Sequence, residues 1–321
     1  MKIVMPEYST LTRGDIDMSG FSTLGELVVL DHPTREALKA ALADADVLFV
    51  NKTTVDADLL EAAPRLRYIG ECATGYNNID LAACAARDIT VTFVPAYSTD
   101  AVAQQVFAFL LEQYGRIHEY NDFVKDGGWT RSGNFSEFVF PTAELGSKTL
   151  GLVGYGRIGS KVAQIAVAFG MKVLATTRSR TEGRSEDGYA QFVPLKTLLA
   201  EADVVSVHCP LTEESFHLFD EDLFAAMKPG AFFINTSRGP VVSEEALAAA
   251  LRSGHLSGAA VDVLEEEPMR ADCVLRDVPN CVITPHVAWA PRETRERLVD
   301  VVLKNYHAWE EGAPVNVVTS D

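Results

Sequence analysis

The feature that most constrains this chain is a glycine-rich segment that follows a short apolar run. Leu150–Val153 predicts a buried strand, and Ser160–Phe169, rich in Ala and Val, predicts the helix after it. Between them, Gly154, Gly156 and Gly159 form the pattern G-x-G-x-x-G. The first glycine permits a tight turn, the second lets backbone approach a pyrophosphate, and the third lets helix and strand pack closely. The segment therefore predicts a dinucleotide site at a helix N-terminus.

Length and composition allow two globular domains. The chain has 321 residues, of which 47% are hydrophobic, and this is enough for two sizeable cores. No apolar run approaches the length of a membrane span, and Met1–Pro6 predicts a first strand and not a signal peptide. The five cysteines form no C-x-x-C pattern and fit reduced thiols, so we expect a cytoplasmic protein. No group of His, Cys and carboxylate residues has metal-ligand spacing, so no metal is expected.

The charge balance limits the classes of partner. The formal net charge is −17, which disfavours nucleic acid and anionic membrane as partners. The same long-range field would repel an anionic substrate. Any anion site must therefore depend on local positive groups, such as one arginine and the N-termini of helices.

Short apolar strands alternate with helical patterns along the first part of the chain. This alternation is typical of a parallel sheet with helices on both faces. The predicted strands are Lys2–Met5, Val47–Val50, Tyr68–Glu71 and Thr90–Val94, and the predicted helices are Thr34–Ala43, Ala57–Ala63 and Leu81–Arg87.

A second alternation begins at Thr149, after one long helical pattern from Thr99 to Asp126. Six strands with helices between them make a complete doubly wound dinucleotide domain. The sequence therefore predicts an α/β protein with two doubly wound parallel-sheet domains, and a final helix, Arg292–Glu311, that could return to the first of them. The six predicted strands are Leu150–Val153, Lys172–Thr176, Val204–His208, Ala231–Asn235, Gly258–Val263 and Cys281–Thr284.

Three polar segments follow strands of the second alternation, at the carboxyl ends where ligands bind in open α/β sheets. They are Asn235–Pro240, Asp262–Pro268 and Thr284–Trp289. Taken singly, their arginine, glutamates and histidine are more simply interpreted as surface or structural residues. Hydride transfer to a ketone, however, needs a proton donor, a carboxylate that keeps the donor protonated, and a cation that orients the substrate. Histidine, glutamate and arginine together supply those three groups.

The glycine motif and the three polar segments, in their order along the chain, resemble the motifs of the D-isomer-specific 2-hydroxyacid dehydrogenases. The resemblance covers essentially the whole chain. Within that family, Ala73–Asp80, Pro95–Thr99 and His286–Ala290 are most similar to the glycerate dehydrogenase (hydroxypyruvate reductase) branch. The resemblance implies a Rossmann dinucleotide-binding domain at 99–291. It also implies a flavodoxin-like substrate domain formed by 1–98 and 292–321.

The resemblance also implies a catalytic set. Arg238 would orient the substrate carboxylate and carbonyl, and His286 would be the acid for reduction and the base for oxidation. Glu267 would pair with His286 and favour its charged form. Backbone N–H groups of Thr74, Gly75 and Tyr76 would bind the substrate carboxylate.

The cofactor contacts implied by the resemblance lie around the glycine motif and the three polar segments. Arg157 and Ile158 would meet the pyrophosphate, and Asp262 the nicotinamide amide. The family usually forms homodimers through the nucleotide domain, here with the helix after Thr99 and the loop that holds Trp129 and Phe135. The full set of implied cofactor residues is Gly154, Gly156, Arg157, Ile158, Gly159, Thr177, Arg178, Cys209, Pro210, Thr236, Ser237, Arg238, Asp262 and His286.

One position departs from the pattern expected for NAD. The second Rossmann strand should end in an acidic residue that binds the ribose, but Thr177 stands there, followed by Arg178, Ser179 and Arg180. An acid would repel a 2′-phosphate, whereas a hydroxyl with arginines would accept one. We therefore expect NADP to be favoured over NAD.

The predicted function is hydride transfer between NAD(P)H and a small anionic 2-keto acid, giving the D-2-hydroxy acid. Hydroxypyruvate and glyoxylate fit the resemblance best. Two alternatives stay open: an enzyme of the D-lactate dehydrogenase type or for another 2-keto acid, and an NAD(P)H-sensing binding protein of the same fold. Turnover distinguishes them, because a sensor would bind NAD(P)H and barely oxidise it.

Overall fold

In the computed structural model, which describes residues 1–318, the chain forms two compact α/β units. The first unit comprises Met1–Ser98 together with the chain from Ala290 onward, and the second unit comprises Thr99–Trp289. Each unit is built on a parallel sheet, so the predicted fold class is confirmed. Among the described residues, no helix combines the length and the apolar character that a membrane crossing requires.

The first unit contains a five-stranded parallel sheet. Its strand order is β2-β1-β3-β4-β5, the flavodoxin-like order, in which the chain reverses direction across the sheet between β1 and β3. The second strand was not predicted, because it is a short edge strand whose side chains are all at least partly exposed. The strands are β1 (Lys2–Met5), β2 (Glu26–Val29), β3 (Val47–Val50), β4 (Tyr68–Glu71) and β5 (Thr90–Thr92).

Short helices connect these strands, and side-chain caps fix where three of them begin. Thr34, Asp56 and Asp80 each accept a hydrogen bond from a backbone N–H of the first turn, which satisfies a donor that the helix leaves free. The helices are α1 (Tyr8–Leu11), α2 (Ser19–Ser22), α3 (Arg35–Leu42), α4 (Ala57–Glu61) and α5 (Leu81–Ala85).

The second unit opens with helices and then forms a seven-stranded parallel sheet. The predicted helix from Thr99 to Asp126 is wrong as one element, because Arg116 has a left-handed φ of 52° and separates two helices. The helices of this unit are α6 (Thr99–Gly115), α7 (Ile117–Lys125), α8 (Gly128–Ser132), α9 (Arg157–Ala168), α10 (Leu195–Glu201), α11 (Glu221–Ala225) and α12 (Glu244–Arg252).

The strand order of this sheet is β12-β11-β10-β9-β6-β7-β8. The strands β8-β7-β6-β9-β10-β11 follow the Rossmann order, and β12 is one further strand at the edge. The chain reverses direction across the sheet between β6 and β9. The two-residue strand β8 was not predicted, because two residues carry no periodicity. The strands are β6 (Thr149–Val153), β7 (Lys172–Thr176), β8 (Gln191–Phe192), β9 (Val204–Val207), β10 (Phe232–Asn235), β11 (Gly258–Val261) and β12 (Cys281–Ile283).

The last helix, α13 (Arg292–Glu310), packs into the first unit. Its fully buried Tyr306 lies 6.0 Å from the ring of Phe49 and 5.8 Å from the ring of Tyr68. Aromatic contacts of this kind contribute about 0.5–1.5 kcal/mol beyond the burial of area. The tail therefore closes the core of the N-terminal sheet.

Candidate active site

The glycine loop of the second unit has the geometry that its sequence predicts. Gly154 has a φ of +101°, and a Cβ there would lie 2.5 Å from the carbonyl carbon of His208. A Cβ on Gly159 would lie 2.5 Å from the carbonyl oxygen of Gly154. Gly156 differs, since a Cβ there would meet nothing within 4 Å. Packing therefore requires two of the glycines, while the third leaves open space before α9, where Arg157 and Ile158 begin the first turn and helix N–H groups can bind an anion.

A cavity of about 1190 Å³ begins at this loop and follows the carboxyl ends of β6, β7 and β9. Single-ligand pockets in proteins span about 300–1,000 Å³, so this space suits an elongated ligand such as a dinucleotide. Seven of the predicted cofactor residues line it: Gly154, Gly156, Arg157, Thr177, Arg178, Cys209 and Pro210. The side chain of Ile158 instead packs against the core, and the predicted residues after β10, β11 and β12 lie outside the lining as the structure describes it.

The segment after β7 forms a tight turn at the cavity wall. Thr177 and Arg180 exchange backbone hydrogen bonds of 3.0 and 3.3 Å. The side chain of Arg178 is 82% exposed and lies 3.6 Å from the carboxylate of Glu214. The guanidinium of Arg180 stacks 4.5 Å above the ring of Phe192. Arg178 and Arg180 thus both line the cavity, and the carboxylate of Glu214 faces Arg178.

Sequence reasoning missed a second carboxylate of the cavity, Asp187. Its oxygens accept hydrogen bonds from Tyr155 Oη (2.9 Å), Ser160 Oγ (2.8 Å) and Ser185 Oγ (2.6 Å). Burial acts to raise the pKa of Asp187, but these hydroxyl donors outweigh it and hold the pKa below its usual value. The carboxylate fastens the loop before β8 to the glycine loop and α9. No local sequence signal reveals this, because the aspartate lies in an ordinary turn.

His208, for which the sequence suggested no role, directly follows β9 and is partly buried at the wall of the cavity. Its Nε2 is 2.9 Å from Ser206 Oγ, and burial lowers the pKa of the imidazole to about 4. A neutral histidine therefore packs under the glycine loop, where Gly154 contacts its backbone.

Arg238 lies on a loop that a buried asparagine holds in place. Asn235, 1% exposed, accepts hydrogen bonds from the Ser237 N–H (3.0 Å) and Oγ (2.9 Å) and donates to the Arg238 carbonyl (3.0 Å). The following Gly239 allows close packing, since a Cβ there would lie 1.7 Å from the carbonyl oxygen of Leu264. The arginine loop is therefore fixed against the loop that carries Glu267.

His286 and Glu267 form a direct pair. His286 Nδ1 lies 2.6 Å from Glu267 Oε2, and the two side chains are 24% and 34% exposed. The other carboxylate oxygen, Oε1, accepts the backbone N–H of Leu264 at 3.0 Å. The histidine has a left-handed φ of 54°, and its backbone N–H donates to the Asp262 carbonyl at 2.8 Å. One ring nitrogen is thereby bound to a fixed carboxylate, and Nε2 is left for chemistry.

Asp262 holds the histidine loop. The residue is 1% exposed, and its carboxylate accepts hydrogen bonds from Thr284 Oγ1 (2.5 Å), Val287 N–H (2.9 Å) and Ala288 N–H (2.8 Å). Its predicted contact with a nicotinamide amide stays a prediction. In contrast, the buried hydroxyl of Thr236 has no hydrogen-bond partner in the described chain, and so it is available to a bound group.

The predicted carboxylate-binding residues of the first unit lie on the loop after β4. Thr74 Oγ1 donates to the Val94 carbonyl at 2.7 Å, and the ring of Tyr76 packs edge-on against Phe93 at 5.5 Å. Within residues 1–318, the backbone N–H groups of Thr74, Gly75 and Tyr76 donate to no protein acceptor. Three free donors on one loop provide the chemistry that binds a carboxylate.

Comparison with known proteins agrees with this geometry. Residues 107–288 match the family model described as "D-isomer specific 2-hydroxyacid dehydrogenase, NAD binding domain". A hydroxypyruvate reductase of Blautia hydrogenotrophica is 37% identical over 321 residues, which cover 99% of each chain. A glyoxylate reductase of Thermococcus litoralis is 41% identical over 292 residues, 90% of this chain and 88% of that protein.

A solved structure supports the same grouping. The NADPH-dependent glyoxylate/hydroxypyruvate reductase of Sinorhizobium meliloti, in complex with NADP and malonate, is 29% identical, with a TM-score of 0.82 over 99% of this chain and 96% of that one. The free Thr236 hydroxyl, the open space at Gly156 and the long cavity fit a nicotinamide dinucleotide. The chain belongs to the D-isomer-specific 2-hydroxyacid dehydrogenases and is a nicotinamide-dependent oxidoreductase that reduces 2-keto acids.

Proposed function

We propose that this enzyme reduces hydroxypyruvate or glyoxylate to the D-2-hydroxy acid and prefers NADPH to NADH. The observation that carries the proposal is the His286–Glu267 pair, at 2.6 Å, which joins the loops after β12 and β11 of the Rossmann sheet. The names of the relatives from Blautia hydrogenotrophica and Thermococcus litoralis support the choice of substrates. The second unit would be the cofactor domain and the first the substrate domain.

The histidine would transfer the proton. When bound, the nicotinamide supplies or accepts the hydride. His286, with Nδ1 bound to Glu267, presents Nε2 as the atom that protonates the carbonyl oxygen in reduction and takes the proton back in oxidation. Glu267 stabilises the imidazolium, and its bond to the Leu264 N–H keeps that carboxylate in position.

Two further groups would bind the anionic substrate. The guanidinium of Arg238, on its fixed loop, would form a planar fork with the carboxylate and carbonyl oxygens. The N–H groups of Thr74, Gly75 and Tyr76 would bind the carboxylate. Because the whole chain carries a net charge of −17, these local donors must overcome the long-range field.

The cofactor preference follows from the wall after β7. Thr177 offers no carboxylate there, while Arg178 and Arg180 line the cavity. A 2′-phosphate would compete with Glu214 for the guanidinium of Arg178 and form a charge-assisted bond to it. The Sinorhizobium meliloti relative was solved with NADP and a formate dehydrogenase of Staphylococcus aureus, 27% identical, with NAD, so the proposed preference rests on the residues of this wall.

A homodimer is also part of the proposal. Phe135, Phe138 and Trp129 of the second unit are 94%, 90% and 47% exposed. Large apolar side chains exposed in one region mark an interaction surface. We expect a second copy of the chain to cover them. Sedimentation of wild type and of the double variant Phe135→Ser/Phe138→Ser tests this.

A steady-state screen tests the function. Hydroxypyruvate, glyoxylate, pyruvate and 2-ketoisocaproate are each assayed with NADPH and with NADH. We expect the highest kcat/KM for hydroxypyruvate or glyoxylate with NADPH. A higher value for pyruvate or 2-ketoisocaproate would contradict the substrate assignment, a preference for NADH would contradict the cofactor assignment, and binding of NADPH without turnover would indicate a sensor.

A further inference from the structure

The carboxyl group of Glu71, next to the loop of Thr74, Gly75 and Tyr76, takes no part in the proposed proton transfer. Glu71 is the last residue of β4, three positions before Thr74, and it is 1% exposed. Its Oε2 accepts a hydrogen bond from the Asn78 amide at 3.1 Å. Its Oε1 is buried and has no hydrogen-bond partner in the described chain. Glu71 thus lies at the base of the loop that holds the three free N–H groups.

An ionised carboxylate would be poorly accommodated at this position. Among residues 1–318, its one hydrogen-bond donor is the neutral side-chain amide of Asn78. That amide also donates to the Thr53 carbonyl at 3.0 Å. A buried charge without adequate partners costs much more than a neutral acid in the same place. The geometry therefore favours the protonated form of Glu71.

The charged groups around Glu71 act in both directions. Lys52, after β3, favours ionisation, and Glu7, after β1, opposes it. On the same strand, the thiol of Cys72 is fully buried, and burial holds its pKa well above the usual value. Burial is the largest influence on Glu71 and raises its pKa to about 9, against the opposing effects of Asn78 and Lys52.

We propose that Glu71 is a neutral acid at the base of the carboxylate-binding loop, and that it must keep its proton for an anionic substrate to bind. Ionisation would place a negative charge within the loop that receives the substrate carboxylate. Glu71 is then a positioning residue that couples substrate affinity to pH. This inference rests on the proposed role of the Thr74–Tyr76 loop.

Ionisation of Glu71 and binding of the anion should oppose each other. Coupling between two sites typically changes affinity by about 5- to 150-fold. The affinity for an anion should fall by such a factor as pH rises through the pKa of Glu71. By linkage, a bound anion makes Glu71 harder to ionise by the same factor.

The test uses oxamate, an unreactive 2-oxo acid analogue, bound to the NADPH-loaded enzyme between pH 7 and pH 10.5. Wild type is compared with Glu71→Gln, which mimics the neutral acid, and with Glu36→Gln, an exposed glutamate of α3, as the control. Every other titratable group near the bound anion is common to all three proteins, so the readout is the ratio of their dissociation constants. We expect Glu71→Gln to bind oxamate increasingly more tightly than wild type as pH rises above about 9, by up to about 30-fold at pH 10.5 for a pKa of about 9, with a ratio near one at pH 7 and with the control unchanged throughout.

A constant ratio of wild type to Glu71→Gln across the range, while wild type binds oxamate, would overturn the inference alone. Failure of wild type to bind oxamate at pH 7 would instead contradict the proposed function, and the inference with it. Thermal unfolding gives a second readout that needs no substrate. Because the folded state holds the proton and the unfolded state releases it, wild type should lose stability relative to Glu71→Gln as pH rises from about 4.5 to about 9. A difference that does not change with pH would show that Glu71 is ionised in the folded protein and would also overturn the inference.

Discussion

The two α/β units differ at the point where the strand order of each sheet reverses: one leaves open space there and the other fills it with its own side chain. In each, the chain reverses direction at the middle of a parallel sheet, where open α/β sheets bind ligands. In the second unit this place is the glycine loop between β6 and β9, and Gly156 leaves open space there. In the first unit, between β1 and β3, the carboxylate of Glu7 occupies the position and accepts the N–H groups of Asn51 (3.0 Å) and Lys52 (2.8 Å).

This difference shows that topology provides a ligand site without deciding whether a ligand uses it. Backbone N–H groups at the ends of strands must be satisfied by something. A glycine loop leaves them to a bound phosphate, whereas a glutamate of the chain itself satisfies them internally. In the first unit, the loop after β4 instead carries three N–H groups, at Thr74, Gly75 and Tyr76, that donate to no acceptor within residues 1–318.

The largest expected effect distinguishes chemistry from cofactor binding within the second unit. His286→Ala should reduce the rate of keto-acid reduction by about 10²- to 10⁴-fold, the usual contribution of a positioned acid. NADPH binding, measured by fluorescence titration, should be nearly unchanged, because the histidine lies outside the lining of the long cavity. His32→Ala, in an exposed loop of the first unit, is the control. A rate within about tenfold of wild type would exclude His286 as the acid.

The second prediction concerns the two kinds of glycine in the loop. Gly154→Ala should lower the free energy of unfolding by about 1–3 kcal/mol or more, since the new Cβ would overlap the backbone of His208. Gly156→Ala should leave stability within about 0.5 kcal/mol of wild type and still weaken NADPH binding. Denaturant titration and cofactor titration measure the two effects. Equal NADPH affinity in Gly156→Ala and wild type would mean that no phosphate approaches this position.

The third prediction is the counterpart in the first unit. Glu7→Ala should lower the free energy of unfolding by about 1–3 kcal/mol, because two backbone N–H groups lose a charged acceptor. NADPH affinity should not change. If the variant is as stable as wild type, water or another group satisfies these donors, and Glu7 is not needed to fill this position of the first unit.

The fourth prediction concerns the proton-transfer pair. Glu267 stabilises the imidazolium form, so reduction should decline as pH rises and oxidation should increase. Glu267→Gln should move both limbs toward lower pH, because the imidazolium loses its anionic partner. Glu266→Gln is a matched control, since that neighbouring side chain pairs with Arg270 at the surface. Unmoved limbs in Glu267→Gln would reduce the pair to a structural contact.

The smallest expected effect concerns the choice of cofactor. Arg178→Ala should raise KM for NADPH more than KM for NADH, while Glu214→Gln should lower KM for NADPH by releasing the guanidinium. Both partners of this ion pair are exposed to solvent, which screens their attraction, so the effect of Glu214→Gln should be no more than about fivefold. Parallel changes for both cofactors would show that Arg178 does not meet a 2′-phosphate.

The glycine loop could be predicted from the sequence, whereas the state of its neighbours could not. A positive φ at Gly154 and a helix that begins at Arg157 are local properties that a few consecutive residues determine. The anchoring of Asp187 by Tyr155 and Ser160 joins residues about 30 positions apart. No local pattern shows that contact.

The same division applies to the secondary structure. Long buried strands and capped helices were predicted well, because apolar patterns and cap residues act over a few positions. The edge strand β2 and the two-residue β8 depend on pairing with a neighbour. The break at Arg116 depends on one backbone angle that an apolar helical pattern does not reveal.

What the sequence determined by itself was the fold class, the glycine loop and the types of residue available for catalysis, because these follow from local conformation and from the order of motifs. Only the tertiary structure decided which of those side chains meet. It placed His286 beside Glu267, which precedes it by 19 positions, and it buried Glu71 with one oxygen unpaired. Contact and burial result from packing between distant segments, and the charge state of a carboxyl group follows from that packing.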